Sequence, residues 1–439
     1  MRLRILASAA VSALALQGCV LSVSETSSPP HVSTSYAYET ETRAPAHGVS
    51  QEGLARLDAV MKQYVEDQKL AGAVVKILQD GREVFSETYG WRDREAGDAM
   101  NEDTIFRIAS QTKALTSVAV MMLMEDGKLV LDDPLGKFLP EWRNTTVAVS
   151  KPGGGYDVVP AKRPITIRDL LSHTAGVSYG TGPAEKAWKD AGVYGWYFAD
   201  KPVPVADIVS RMASLPMTAQ PGEEWVYGYN TDILGVVVEK LSGQTLDAFL
   251  HERLIDPLGM VDTSFCLPPD KAGRLAVVYS EKNGGTERAP APGALQGVSH
   301  IGQGHYADGP CKAFSGGAGL LSTAGDYARF LEMLRQGGVY GGRRYLSRKS
   351  VEQMTHDTLV TAKFQPGVGF GLGFRVTLDP AKMGNLGSPG DYGWGGAYHS
   401  TYWVDPEEGL TVVYMTQLIP AGALEDQAKL RAMVYSALE

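Results

Sequence analysis

Residues 108–124, IASQTKALTSVAVMMLM, place a lysine at the mouth of an otherwise apolar run. Ala114 to Met124 carries no charge and the run stops at Gly127, a pattern that predicts a buried helix with a glycine just past its end. The short extended run Thr104–Arg107 leads into it. Ser110 then stands at the helix start, where free backbone N–H groups and the positive end of the helix dipole favour a developing anion. Lys113, three residues on, lies on the same face one turn deeper. An ammonium inside an apolar helix needs a partner, so the fold has to bring polar groups from elsewhere onto this position. A serine hydroxyl is a weak nucleophile until its proton is removed, and a lysine held against it is one known solution. Ser-x-x-Lys also arises by chance, and serine at a helix start is commonly only a cap. The tetrapeptide therefore has to be read together with candidate partners.

The chain of 439 residues is long enough for one large domain or two ordinary ones with a substantial core. A formal net charge of −9, with no basic run of five or more, argues against nucleic acid as a partner. The first nineteen residues read as an export signal: a basic start, Met1-Arg2-Leu3-Arg4, then an apolar stretch from Ile5 to Leu16 that is too short to span a membrane as a mature helix. Leu16-Gln17-Gly18-Cys19 resembles a bacterial lipoprotein box, although Gln17 departs from the small or β-branched residue usual there. The expectation is a lipidated Cys19 and an exported protein, periplasmic or held on the outer membrane, that meets the membrane only through that anchor; plain export with cleavage nearby is the alternative. Residues 20–48, rich in Ser, Thr and Pro, read as a flexible tether. Cys266 and Cys311 are open to two readings, a disulfide that export permits or two buried small hydrophobes. There is no Cys-x-x-Cys and no His-x-x-x-His, so no metal site is indicated and no cofactor is expected.

Leu54, Leu57, Met61, Tyr64 and Val65 recur at helical spacing and predict a first amphipathic helix. Ala71–Gln79 is strand-like, Asp80-Gly81 is a hairpin turn, and Glu83–Tyr89 returns. From about 141 to 310 the strand pattern thins, and short helical stretches are expected at 166–172, 204–214, 229–242 and 246–258. Strands come back after Gly316: the alternating glycines of 367–374, then Tyr398–Val404 and Leu410–Met415, before a last helix over 424–438. Hairpins at both ends with helices between predict an α/β chain of the α+β type. One antiparallel sheet is built from 49–140 and 311–439, flanked by helices, with a mainly helical domain inserted over 141–310.

Two further stretches offer partners for Ser110. Tyr227 lies just ahead of the helix expected at 229–242, which carries Gly235, where close packing is easy. A phenol beside a lysine ammonium is favoured in its ionised form, which would make it a general base; taken alone, a tyrosine there is ordinary core or rim. Tyr392-Gly393-Trp394-Gly395-Gly396-Ala397-Tyr398 enters a strand through glycines that let backbone approach a ligand closely. An N–H from Ala397, with that of Ser110, could form an oxyanion hole; a glycine-rich bulge is the plainer reading.

In this chain order the three motifs resemble the layout of the serine β-lactamase and penicillin-binding-protein superfamily over most of residues 50–438. The satellite runs 170–176 (LLSHTAG), 221–223 (PGE), 256–260 (DPLGM) and 315–320 (SGGAGL) fit the same resemblance. Class C β-lactamases carry Tyr-x-Asn and Lys-Thr-Gly; here Tyr229 stands at the third position of the former, and Trp394-Gly395-Gly396 replaces the latter. Trp-Gly-Gly followed by Trp403-Val404-Asp405-Pro406 is similar to the family VIII carboxylesterases. The resemblance implies a β-lactamase/transpeptidase-like fold and catalysis by Ser110, Lys113 and Tyr227, with the N–H groups of Ser110 and Ala397 holding the oxyanion. Tyr229, Trp394, Gly395 and Gly396 would bind substrate. Exchanging the lactamase lysine and amide for Trp394 and Tyr229 removes a charge-assisted site and adds apolar wall, which favours a small neutral ester over an anionic β-lactam.

The expected activity is hydrolysis of short-chain carboxylic esters through a Ser110 acyl-enzyme. The alternatives are a class C-like β-lactamase or D-alanyl peptidase, an acyltransferase, and a penicillin-binding sensor that acylates once and stalls. Gly176-Val177-Ser178-Tyr179-Gly180 matches the Gly-x-Ser-x-Gly pentapeptide of α/β-hydrolases, but it follows a short helix rather than a parallel strand and is read as a decoy. His173 is expected beneath the site and His399 on the pocket wall. His300, His305 and Tyr306 are possible rim residues within a stretch, 280–312, that reads as surface loop. Tyr194–Phe198 could wall an acyl pocket or form core.

Overall fold

The two ends of the chain meet in one sheet. The structure, a computed structural model, describes residues 48–439; the expected signal, Cys19 and the tether up to residue 47 lie outside the described residues. Eight strands form the sheet: β1 (Gly72–Gln79), β2 (Arg82–Asp93), β3 (Asp98–Ala99), β4 (Val368–Phe370), β5 (Arg375–Thr377), β6 (Tyr392–Gly395), β7 (Thr401–Asp405) and β8 (Leu410–Thr416). Their spatial order is β4-β5-β6-β7-β8-β1-β2-β3, with neighbours antiparallel. β1 pairs with β8 in a register running from Ala73↔Thr416 to Gln79↔Leu410, so the N-terminal hairpin and the C-terminal meander share a seam. The β1–β2 turn is Asp80-Gly81, both at positive φ, as a two-residue hairpin turn requires.

Each face of the sheet is covered by helices because β1 and β8 are apolar on both sides. On one face lie α1 (Gln51–Glu66) and, from the other end of the chain, the last helix (Asp426–Ser436). Leu54, Leu57 and Met61 pack there with Leu430, Val434, Val75 and Val412. Gly53 lets the two helices touch: a Cβ on it would sit 2.6 Å from that of Ala437. On the other face α2 (Thr112–Glu125) is buried from Thr112 to Leu123, the continuous apolar pattern read from the sequence. It packs against α3 (Asn230–Ser242), and the helix Ala324–Arg335, here α4, packs on β8 and β1. The last helix is α5. One apolar core runs from Val74 and Val413 of the sheet through α2 to Leu170, Ile208 and Val237 in the middle of the chain.

The middle of the chain is less helical than expected. Helices occur at Ile167–Leu171, Glu185–Asp190, Val205–Met212, α3 and Leu246–Leu250, the last passing into a wider turn over His251–Ile255. The same stretch holds three hairpins: Thr146–Ser150 with Tyr156–Pro160, Tyr279–Lys282 with Gly285–Arg288, and Ala294–Gln296 with Ser299–Ile301. Ala294–Gln296 is exposed throughout and Tyr156–Pro160 nearly so. In each hairpin one strand buries only two adjacent residues, Val147 and Ala148, Tyr279 and Ser280, His300 and Ile301, so no alternation of polar and apolar residues marks these hairpins. Cys266 and Cys311 form a disulfide.

Candidate active site

Ser110 sits on a tight 3₁₀ turn, Ala109–Gln111, between the short strand Phe106–Arg107 and α2. Ala109 is held at φ +42°, a conformation an alanine rarely adopts and one that marks functional turns. Its surroundings fix the turn. Gln417 accepts from the Arg107 N–H at 3.1 Å and donates to the Arg107 carbonyl at 3.1 Å. The Tyr327 hydroxyl donates to the Gln111 carbonyl at 2.9 Å, and the Leu320 N–H donates to Thr112 Oγ1 at 3.1 Å. Ser110 itself is half-buried in a wall of buried residues.

Lys113 is buried at 2% exposure, and its ammonium has three acceptors: Ser110 Oγ at 3.3 Å, the Tyr179 hydroxyl at 2.9 Å and the Gly317 carbonyl at 2.8 Å. Behind it lies Asp232 on α3, fully enclosed, accepting from Ser315 Oγ at 2.6 Å and from the Gly317 N–H at 3.1 Å. Burial pushes the Asp232 carboxyl above the usual carboxylate range, against the pull of Lys113 and these donors. The glycine at 317 is required, since a Cβ would meet Asp232 Oδ2 at 2.4 Å. Asp232 thus anchors the Gly316-Gly317 turn whose carbonyl faces the lysine.

Tyr227 presents its ring to the same ammonium, Nζ lying 4.6 Å from the centroid. Its hydroxyl accepts from Trp394 Nε1 at 3.1 Å. Trp394 is wedged among Trp225, Phe364 and Phe370. Beyond it, Gly396 presses on the Ser110 turn: a Cβ there would come within 2.6 Å of the Ile108 carbonyl. This contact carries Ala397 towards Ser110. The N–H groups of Ala397 and Ser110 have no protein acceptor among the described residues. Ser110, Tyr179, Tyr227, Trp394, Gly395, Gly396 and Ala397 line one open cleft of about 760 Å³. A hydroxyl, an amine, a phenol and two free amides around one cleft can perform acyl transfer through a covalent serine ester.

Tyr229 is a correction. It is fully buried, its hydroxyl donates to the Gly195 carbonyl at 2.8 Å, and its ring stacks with Trp188 and Phe198, away from the cleft. Tyr179, from the pentapeptide read as a decoy, does line the cleft beside Tyr227. Burial first, then Tyr227 and Asp232, hold Tyr179 well above the ordinary phenol range, so it remains a neutral hydroxyl. Ser178 of that pentapeptide is buried and donates to the Thr181 carbonyl at 2.8 Å. His173 lies beneath the site, 2.8 Å from Asn230 Nδ2, with its ring 4.8 Å from that of Tyr227; burial and Lys113 hold it well below the usual histidine range. His399 lines the cleft, as does Trp196 of the aromatic stretch, whereas Tyr197 and Phe198 are core. His300, His305 and Tyr306 cluster around Tyr197 outside the cleft.

A family model described as Beta-lactamase matches residues 57–434. The chain belongs to the beta-lactamase family. Within that family it is similar to protein Rv1367c of Mycobacterium tuberculosis, 35% identical over 378 residues that cover 82% of this chain and 89% of the relative. It is also similar to Esterase EstB of Burkholderia gladioli, 33% identical over 384 residues covering 82% and 90%. Among solved structures, EstCE1, described as a hydrolase with promiscuous acyltransferase activity, superposes with a TM-score of 0.75 at 28% identity over 88% of this chain and 99% of its own. This beta-lactamase family member is thus a serine hydrolase with esterase relatives, built on the antiparallel sheet and helices of that fold.

Proposed function

We propose that this protein hydrolyses short-chain neutral carboxylic esters in two acyl-transfer steps. Ser110 attacks the ester carbonyl, and its proton passes to Tyr227, which returns it to the departing alcohol. The N–H groups of Ser110 and Ala397 hold the oxyanion, and water then clears the acyl-enzyme. The observation that carries this reading is that Ser110, Tyr227 and Ala397 line one cleft, with the Lys113 ammonium buried between Ser110 Oγ and the Tyr227 ring. Tyr179 and Gly317 keep the lysine aimed at Ser110. Trp394, an aromatic wall at the position of the lactamase lysine, supports neutral esters over β-lactams. EstB, an esterase, supports the same direction.

A second reading, transfer of the acyl group to an alcohol, draws support from EstCE1 and from the openness of the cleft to a second molecule. An exported location with a lipidated Cys19 belongs to the same proposal, and the Cys266–Cys311 disulfide suits an oxidising compartment. The test is a fluorophosphonate probe followed by peptide mapping, with Ser110→Ala and Ser178→Ala assayed on p-nitrophenyl butyrate and nitrocefin. The expected result is label on Ser110, no turnover in Ser110→Ala, nearly full turnover in Ser178→Ala, and esters preferred to nitrocefin. Label on Ser178 would overturn the reading. Product analysis with added alcohol separates hydrolysis from transfer.

A further inference from the structure

A second acid–base pair stands at the cleft, His399 on its wall and Asp426 buried behind it, and the Ser110–Lys113–Tyr227 set does not use it. His399 lies two residues past Ala397, in the turn between β6 and β7, at φ +65°. Glycine adopts that conformation freely, whereas a residue with a side chain adopts it uncommonly. The ring is locked. Nε2 lies 2.7 Å from Asp426 Oδ1 at the start of α5, and the other carboxylate oxygen accepts from the Tyr414 hydroxyl at 2.5 Å. Gln427 Nε2 donates to the His399 carbonyl at 2.9 Å. Asp426 is fully buried, and burial together with that carboxylate holds the Tyr414 phenol well above its ordinary range, so Tyr414 stays a donor. With Nε2–H committed to Asp426, the lone pair of the imidazole is on Nδ1, which has no protein partner among the described residues. His399 and Ser110 line the same cleft. An imidazole oriented by a buried carboxylate, on the wall of the Ser110 cleft and with its other nitrogen unpartnered among the described residues, has the form of a general base and its orienter.

We propose that His399, positioned by Asp426, is the base that activates the acyl acceptor, the water or small alcohol that clears the acyl-enzyme. This rests on Ser110 being the acylated residue. The acceptor's O–H proton moves to Nδ1 as its oxygen bonds to the acyl carbonyl carbon. The tetrahedral oxyanion then collapses, the bond from carbon to Ser110 Oγ breaks, and the acid or new ester leaves. The Ser110 oxygen takes a proton from the Lys113 ammonium at 3.3 Å. The imidazolium releases its proton to solvent and the lysine regains one from solvent, so the cycle closes without an outside reagent. Tyr227 serves the acylation half and His399 the deacylation half.

The full chain is compared with His399→Gly, a substitution that suits the backbone, and with His399→Asn, which tolerates the same φ and covers a failure of the first to fold. With p-nitrophenyl butyrate the pre-steady-state burst should keep its rate while steady turnover falls about 100-fold. A butyryl adduct on Ser110 should then accumulate in the intact mass, and added imidazole should restore turnover in His399→Gly. Asp426→Asn should show the same split between burst and turnover. Unchanged turnover, or burst and turnover falling together without an adduct, would overturn the role of His399. A burst that survives in Ser110→Ala would instead overturn the Ser110 reading, which keeps the two failures apart.

Discussion

The Tyr179 hydroxyl accepts a hydrogen bond from Lys113 Nζ at 2.9 Å, while Tyr227 offers the same ammonium its ring face. Two phenols thus surround one cation in different ways. Tyr179, kept neutral by burial, is a fixed acceptor that holds the lysine against Ser110. Tyr227, half-buried and accepting from Trp394, lines the cleft and is the phenol that the proposed mechanism gives the Ser110 proton. Tyr179→Phe keeps the ring packing on Tyr227 and Tyr229 and deletes the acceptor. A buried donor left unsatisfied costs about 1–3 kcal/mol. Urea unfolding should show a loss of that size, and kcat for p-nitrophenyl butyrate should fall about tenfold or more. An unchanged kcat would show that the lysine does not need this acceptor.

The parts of the site that mark the sequence are those at boundaries. Ser110 and Lys113 stand where a strand becomes an apolar helix, and Trp394–Ala397 where glycines end a strand. Tyr229 and Tyr179 exchanged places for a reason no local pattern carries. Gly228 is pressed against residues 177 and 178, where a Cβ would meet the Val177 carbonyl at 2.3 Å. That contact between distant segments goes with Tyr227 facing the cleft and Tyr229 facing the core. It also carries the 176–180 turn to the site, so that a pentapeptide without its own nucleophile still supplies a phenol. Asp232 is visible only as an acid in the first turn of an apolar helix, and its carboxylate acquires meaning when Gly317 arrives from 85 residues away. The seam of the sheet is legible because β1 and β8 are long and buried nearly throughout; the hairpins of 141–310 are not, because their strands are short and bury at most two adjacent residues each.

The His173 imidazole gives stability a pH dependence with a definite sign. Burial and Lys113 hold it well below 6.5, and Asn230 Nδ2 lies at hydrogen-bond distance from Nδ1. In the unfolded chain histidine titrates near its ordinary value of about 6.5. Below that pH the unfolded state binds a proton that the folded state refuses, so this contribution is complete above about pH 6.5 and is lost as pH falls towards the depressed folded value. His300, also lowered by burial, acts in the same direction. His173→Asn suits the positive φ of the position. It should reduce the slope of unfolding free energy against pH below 6.5 by up to one proton, about 1.4 kcal/mol per pH unit. Urea titrations of both proteins from about pH 7.5 to 5 measure it; equal slopes would mean that another group sets the dependence.

The Cys266–Cys311 disulfide closes a loop with a sequence separation of 45 residues. Restricting the unfolded chain over that span is worth about 4 kcal/mol in the chain-entropy model. Reduction, or the double change Cys266→Ser and Cys311→Ser, should lower the urea midpoint accordingly. Esterase activity at low denaturant should survive, since neither cysteine lines the Ser110 cleft. Loss of activity ahead of unfolding would mean that the loop shapes the cleft.

In the proposed mechanism Trp394 bears on both rate and specificity, and two substitutions separate them. Its indole N–H donates to the Tyr227 hydroxyl at 3.1 Å, while the ring packs edge-on to Phe370. Trp394→Phe keeps most of the apolar wall and removes the donor that orients the phenol. Its effect should fall on kcat, several-fold to about tenfold, with KM for p-nitrophenyl butyrate little changed, as expected of a group felt mainly in the transition state. Trp394→Lys restores a cation where the lactamase motif has one, at the cost of the wall. A charge-assisted hydrogen bond to a substrate carboxylate is worth about 1.5–3 kcal/mol, so the ratio of p-nitrophenyl butyrate to nitrocefin cleavage should fall about 10- to 100-fold. The ratio is the informative quantity, because a general loss of packing lowers both rates and leaves it in place. A ratio unmoved by the lysine would locate the preference for neutral esters elsewhere in the cleft, with Trp196 the next side chain to test.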